Sequence, residues 1–132
     1  GAPELSMLED LQSNIIENNS ESPFYGIYFG NKLVARMSLY LVDKKYDYYF
    51  NPPQDFYELW KLEVLKPYRG RGFGWKLVEF AKSLNKPIKT NARRRSDDFW
   101  LKMGFVRATY KAERDRGENP YLWLPKGVKE QQ

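Results

Sequence analysis

Apolar positions along the chain follow two periods, and the places where one gives way to the other mark its elements. From Pro3 to about Asn18, Leu5, Leu8, Leu11, Ile15 and Ile16 recur three and four residues apart, the stripe of an amphipathic helix. The polar run Asn18 to Pro23 closes it. Phe24 to Phe29 and Leu33 to Val42 then read as two strands joined at Gly30-Asn31-Lys32, an antiparallel hairpin. Asp43 to Asp55 is polar and tyrosine-rich and contains Asn51-Pro52-Pro53, the composition of a connecting loop. Phe56 to Leu65 is apolar enough for a central strand, and strict alternation places Glu58, Trp60, Leu62 and Val64 on one face.

After a glycine-rich turn, a helix is predicted from about Phe73 to Leu84, with Leu77, Val78, Ala81 and Leu84 inward, and Pro87 prevents its continuation. Pro87 to Asn91 is a short strand, reached by a helical crossover from the third. Ser96 is placed to cap a second helix that Gly104 closes. Phe105 to Tyr110 and Tyr121 to Leu124 are terminal strands flanking the charged turn Lys111 to Pro120. Residues 1–125 form a single α/β domain on this reading, and the tail 126–132 is disordered.

Composition narrows the chemistry. The chain of 132 residues holds no cysteine and no histidine, which excludes Cys/His metal sites, thiol nucleophiles and Ser-His-Asp triads, and no metal is expected. Acid-base work falls to carboxylates, Tyr, Lys or ordered water. No apolar run approaches the roughly 18 residues of a membrane span, and no signal-like leader is visible, so a cytoplasmic protein without membrane contact is the default. Ten of the 22 basic residues but one of the 17 acidic residues lie between Lys66 and Arg95. That segment suits a polyanionic ligand.

The basic segment opens on Arg69-Gly70-Arg71-Gly72-Phe73-Gly74, between the apolar Leu62-Glu63-Val64-Leu65 and the helical run from Trp75. Alternate glycines allow a sharp turn that uncovers backbone N–H groups, and the helix that follows adds free donors and a partial positive charge. The turn is therefore a phosphate site. It is neither a P-loop, which needs G-x-x-x-x-G-K-[ST], nor a dinucleotide fingerprint, since the third glycine comes too early for G-x-G-x-x-G.

The same residues resemble the GNAT N-acetyltransferase superfamily, whose [Q/R]-x-x-G-x-[G/A] motif follows a strand ending like Leu62-x-Val64; Lys102-Met103-Gly104-Phe105 resembles its later helix-ending "GF". More narrowly, Ser22 to Tyr28 and Glu58 to Leu65 look like the small YlbP-type N-acetyltransferases of bacilli. The resemblance implies a mixed, mostly antiparallel sheet with flanking helices, acetyl-CoA as donor, and direct transfer to a primary amine, on a small molecule or a peptide. By resemblance the amides of Gly70, Arg71, Gly72, Phe73, Gly74 and Trp75 receive the CoA pyrophosphate, with Arg69 and Arg71 in support. The main chain of Leu62, Glu63 and Val64 pairs with the pantetheine arm, and the Leu62 amide polarises the thioester carbonyl. Lys66, Arg93, Arg94 and Arg95 are candidates for the 3′-phosphate.

Transfer to an amine needs a base for the ammonium proton and a proton for the leaving thiolate. Glu58, eleven residues before Arg69, stands at the offset where some family members carry a strand-borne glutamate, and is the implied base, acting through water; the plainer reading pairs it with a neighbouring Lys or Arg. Where many family members have a tyrosine four residues before the "GF" glycine, this chain has Trp100, which cannot supply a proton and is expected beside the pantetheine arm. Tyr68, Tyr110 and Tyr121 are the remaining acids. The family also begins with a strand, whereas only a helix is visible before Phe24, so the first strand is expected to be missing. Its absence would leave a sheet edge open to pairing with a second copy as a homodimer. Two other readings stand beside the enzyme: a non-catalytic acyl-CoA-binding module, and a nucleic-acid binder using the basic segment, for which no recognition motif is present.

Overall fold

In the computed structural model, residues 4–7 and 24–132 are described, with side chains from Tyr25 onward. The backbone divides into two units, one of the described residues up to Tyr40 with Leu59–Ser83, the other of Leu41–Glu58 with Leu84–Gln132.

The first unit is built on strands β1 (Glu4–Met7), β2 (Phe24–Phe29), β3 (Lys32–Val42) and the later part of β5 (Phe56–Val64), in the order β1-β2-β3-β5. β1 and β3 both run antiparallel to β2, with Leu5 opposite Ile27 and Ile27 opposite Ala35. The hairpin turns at Gly30, whose φ of 64° lies in the left-handed region that glycine adopts without cost. Helix α1 (Phe73–Ser83) buries Phe73, Leu77, Val78 and Ala81, the three- and four-residue stripe that its sequence shows. Ile27, Val34, Met37 and Leu39 are likewise buried.

Here the N-terminal expectation fails. Glu4–Met7 is a strand paired to β2, so the first strand is present, and the helix predicted from Pro3 does not include these residues. In Glu4-Leu5-Ser6-Met7 the apolar residues alternate as well as recurring with the later leucines, and an available sheet edge decides between the two periods. The rest of the predicted helix lies outside the described residues.

In the second unit the first residues of β5 adjoin β6 (Ile88–Asn91), followed by β8 (Pro120–Trp123) and β7 (Val106–Arg107); β6 and β7 are both antiparallel to β8. Helices α2 (Asp97–Lys102) and α3 (Ala112–Asp115) are short. Tyr49, Phe50, Phe56, Ala108 and Leu122 form an apolar cluster flanked by Val42, Leu124 and Val128.

The tail is not disordered. β9 (Lys129–Glu130) pairs with β4 (Phe50–Asn51), the Gln131 amide donates to the Tyr49 carbonyl, and Glu130 accepts from the Thr109 amide. Polar composition suggested a loose end, but the tail's backbone finds partners on a strand that is distant in sequence. Ser96 occupies the residue before α2 without capping it, since its hydroxyl donates to the Arg93 carbonyl. The expected fold class stands: α and β elements with antiparallel pairs throughout β1–β2, β2–β3, β6–β8, β7–β8 and β4–β9.

Candidate active site

The glycine turn is built from the end of β5. The Leu65 amide donates to the Val34 carbonyl, and a single 3-10 turn over Lys66–Tyr68 carries the chain off the sheet. The Arg69 Nε donates to the Val64 carbonyl at 3.1 Å, tying the turn back to the strand it leaves. Gly70 and Gly72 then take φ values of 78° and 83°. A Cβ would meet nothing within 4 Å at either position, so glycine is needed there for the backbone and not for space. The Gly72 carbonyl accepts the Lys76 amide, starting α1.

The first amides of α1 have no partner within the helix, and its first turn carries no acid. Arg69 and Arg71 are exposed beside it. The guanidinium of Arg71 lies 5.1 Å and the Lys32 ammonium 5.5 Å from the Tyr68 ring centre, and Phe29 and Phe73 pack near the same ring. Trp75 is 56% exposed, while Phe73 is buried. Donors, helix dipole and cations thus gather on one turn with no carboxylate in the helix's first turn, which suits a phosphate-bearing ligand.

Along β5, Leu62 and Val64 are half-buried, and Glu63 is exposed and paired with Arg36 at 2.9 Å. Lys61 has a φ of 54°. A left-handed residue inside a strand interrupts the alternation of faces, so the single face expected for Glu58, Trp60, Leu62 and Val64 does not follow from spacing across Lys61.

Glu58 belongs to the second unit, where its Oε1 lies 2.8 Å from the Lys89 Nζ. The plainer sequence reading, a glutamate paired with a basic neighbour, is therefore part of the truth. Lys89 is 5% exposed and lies 5.1 Å from the Tyr49 ring centre, while the Arg114 guanidinium packs on that ring at 4.0 Å. The Tyr49 hydroxyl donates to Asp115, which also accepts from Arg114 and the Lys111 amide. Burial pushes the Asp115 carboxyl up, but these donors outweigh it and hold it down at about 2. Burial, then the bond to Asp115, pushes the Tyr49 hydroxyl well above its usual range. Sequence reasoning missed Lys89, Tyr49, Arg114 and Asp115 as a group. The one signal was a lysine set in the apolar strand Pro87 to Asn91.

Trp100 is 5% exposed, with its ring 5.0 Å from those of Phe99 and Phe105. Its surroundings are those of a core residue. Of the candidate acids, Tyr121 is buried with its hydroxyl donated to Asp97 at 2.7 Å, and that bond, with burial second, raises its pKa. The Tyr110 hydroxyl accepts from the Gly117 amide, and Tyr68 carries the two cations described above. Arg93, Arg94 and Arg95 are exposed, Arg95 with a φ of 67°.

Comparison with known proteins gives the family. An "uncharacterized N-acetyltransferase" of Halalkalibacterium halodurans is 72% identical over 131 residues, covering 99% of this chain and 78% of that protein. The Bacillus subtilis protein YlbP, an "uncharacterized N-acetyltransferase", is 62% identical over 125 residues, or 95% of this chain and 78% of its own. Among solved structures, that of the Bacillus subtilis N-acetyltransferase YlbP in complex with coenzyme A superposes with a TM-score of 0.81 at 46% identity, covering 99% of this chain and all of that one. The acetyltransferase (GNAT) family model matches residues 2–105, and the chain belongs to that family.

Proposed function

We propose that the protein transfers acetyl from acetyl-CoA directly to a primary amine, binding the donor at the glycine turn and using Glu58 as the base. The observation that carries this reading is the pair of left-handed glycines, Gly70 and Gly72, leading into the acid-free first turn of α1 with Arg69 and Arg71 alongside. Backbone amides there receive the pyrophosphate. The main chain of Leu62, Glu63 and Val64 adds the pantetheine arm as a strand would, and the Leu62 amide polarises the thioester carbonyl as charge builds on its oxygen. Membership of an acetyltransferase family, and a similar protein crystallised with coenzyme A, support the donor.

In the step itself, the acceptor ammonium loses a proton to Glu58 through a water, the amine nitrogen bonds to the acetyl carbon and sheds its second proton to solvent as the carbon–sulfur bond breaks, and the thiolate takes a proton from solvent. No tyrosine need be assigned to that last proton. Trp100 is a packing residue in this scheme. Among the described residues no helix is long and apolar enough to cross a membrane.

A second reading, an acyl-CoA-binding module without catalysis, is favoured by one observation: Glu58 is already engaged by Lys89. Calorimetric titration with acetyl-CoA, followed by assay of CoA release with a panel of primary amines, separates the two. Saturable binding with transfer that is lost in Glu58→Gln supports the enzyme. Binding without transfer supports the module, and no heat at millimolar acetyl-CoA overturns both.

A further inference from the structure

Lysine is among the side chains least often removed from water, yet Lys89 sits in β6 between Ile88 and Thr90, with all three buried. A buried ammonium keeps its charge only with a partner, and an ion pair in such a place is often no more stabilising than apolar residues of the same volume. The partner is Glu58, whose side chain remains 22% exposed while that of Lys89 is 7% exposed. The pair is thus asymmetric: a sheltered cation fixes a carboxylate that water still reaches.

Lys89 is held from a second direction. Its ammonium faces the Tyr49 ring at 5.1 Å, and that ring is pinned by its hydroxyl on Asp115 and by the Arg114 guanidinium at 4.0 Å. The titratable and charged groups near Glu58 include Lys89 from β6, Tyr49 from the 43–55 segment and, behind that ring, Arg114 and Asp115 of α3.

We propose that Lys89 is a positioning residue for Glu58, fixing one carboxylate oxygen so that the carboxylate is held to accept the acceptor's proton. This rests on the reading of Glu58 as the base. Lys89 itself neither gains nor loses a proton: Glu58 takes the ammonium proton through water and returns it to solvent after the acetyl group has moved. Without Lys89 the carboxylate loses the 2.8 Å contact that fixes its Oε1 and is free to turn away from the proton it takes.

The test compares wild type, Lys89→Met, Lys89→Arg and Glu58→Gln, each checked for folding by circular dichroism and for acetyl-CoA binding by calorimetry. Acetyl transfer is read as CoA thiol released from acetyl-CoA with a diamine, an aminosugar, an amino-acid ester and a peptide with a free N-terminus. In Lys89→Met, kcat should fall about tenfold or more while the KM for acetyl-CoA stays within about twofold. Lys89→Arg, which keeps the cation, should recover most of kcat. A folded Lys89→Met with wild-type kcat overturns the inference while leaving Glu58 as base, provided Glu58→Gln is impaired. Should Lys89→Met not fold, a Lys89→Arg protein that folds yet shows no recovery of rate overturns it as well. If wild type transfers to no amine, or Glu58→Gln is unimpaired, the base reading falls and the inference with it.

Discussion

The hydroxyl of Tyr49 donates a 2.8 Å hydrogen bond to Asp115, 66 residues further along the chain, and fastens the tyrosine-rich segment to the first turn after Lys111. Asp115 is 1% exposed and its carboxyl is held down at about 2. An unfolded aspartate titrates near 3.9. A depressed carboxyl stabilises the fold above the unfolded value, and that stability is lost as pH falls from about 4 towards 2, on the order of 2–3 kcal/mol. Chemical denaturation from pH 6 to pH 2 should show this loss, and Asp115→Asn should be less stable at pH 6 and show a flatter dependence. Tyr49→Phe should cost about 1.5–3 kcal/mol, since the bond it removes ends on a charged acceptor. The raised Tyr49 hydroxyl works in the opposite sense: its contribution is present below pH ~10 and is lost as pH rises above that.

Lys61 offers a test in which the better strand former should lose. Its φ of 54° is a left-handed conformation within β5, which a β-branched side chain resists. Lys61→Val should destabilise the protein by about 1–2 kcal/mol despite the strand preference of valine, whereas Lys61→Gly should be the more stable of the two. Urea midpoints measured side by side decide it, and a Val variant more stable than the Gly variant would show that the bend is not a fixed feature of the strand.

Gly72 carries a backbone conformation and, in the proposed site, donor binding. With φ at 83° and open space around its missing side chain, Gly72→Ala should cost about 1–2 kcal/mol through the backbone alone. If the turn relaxes towards a conformation alanine accepts, its amides turn away from the ligand, and the affinity for coenzyme A should fall about tenfold or more. Calorimetry of the folded variant reads this directly. Unchanged affinity would mean that the amides on either side of Gly72 do not hold the pyrophosphate.

What could be read in advance follows the reach of each signal. The Gly30 hairpin, the turn from Arg69 to Gly74 and helix α1 are specified by neighbours within a few residues, through glycine conformations and the Phe73, Leu77, Val78, Ala81 stripe. Lys89 with Glu58, Tyr49 with Asp115 and β9 with β4 join residues remote in sequence, and no local pattern encodes such partners. Glu4–Met7 was misread because its alternation is too short to stand against a longer helical stripe. Lys61 was illegible for a different reason: a left-handed lysine leaves no mark in composition, and one such residue shifts the faces assigned beyond it. The geometry of the proposed donor turn was therefore more legible than the surroundings of Glu58, because such a turn is local and the environment of a proposed base is not.

Trp100 separates packing from chemistry at the position where the resemblance leads one to expect a tyrosine. Its ring is 5% exposed and contacts Phe99 and Phe105, and its carbonyl accepts the Phe105 amide. Trp100→Tyr removes ring volume from this cluster and introduces a hydroxyl among aromatic neighbours, so it should cost about 1–3 kcal/mol. If solvent protonates the leaving thiolate, the tyrosine gives no gain, and kcat at pH 7 to 8 should stay level or fall with the loss of stability. Turnover of Trp100→Tyr on an amine that wild type acetylates, measured well below its thermal midpoint, is the check. A rise in kcat with a new basic limb in its pH profile would show that the position faces the reacting sulfur and that the chain works without an acid it could use.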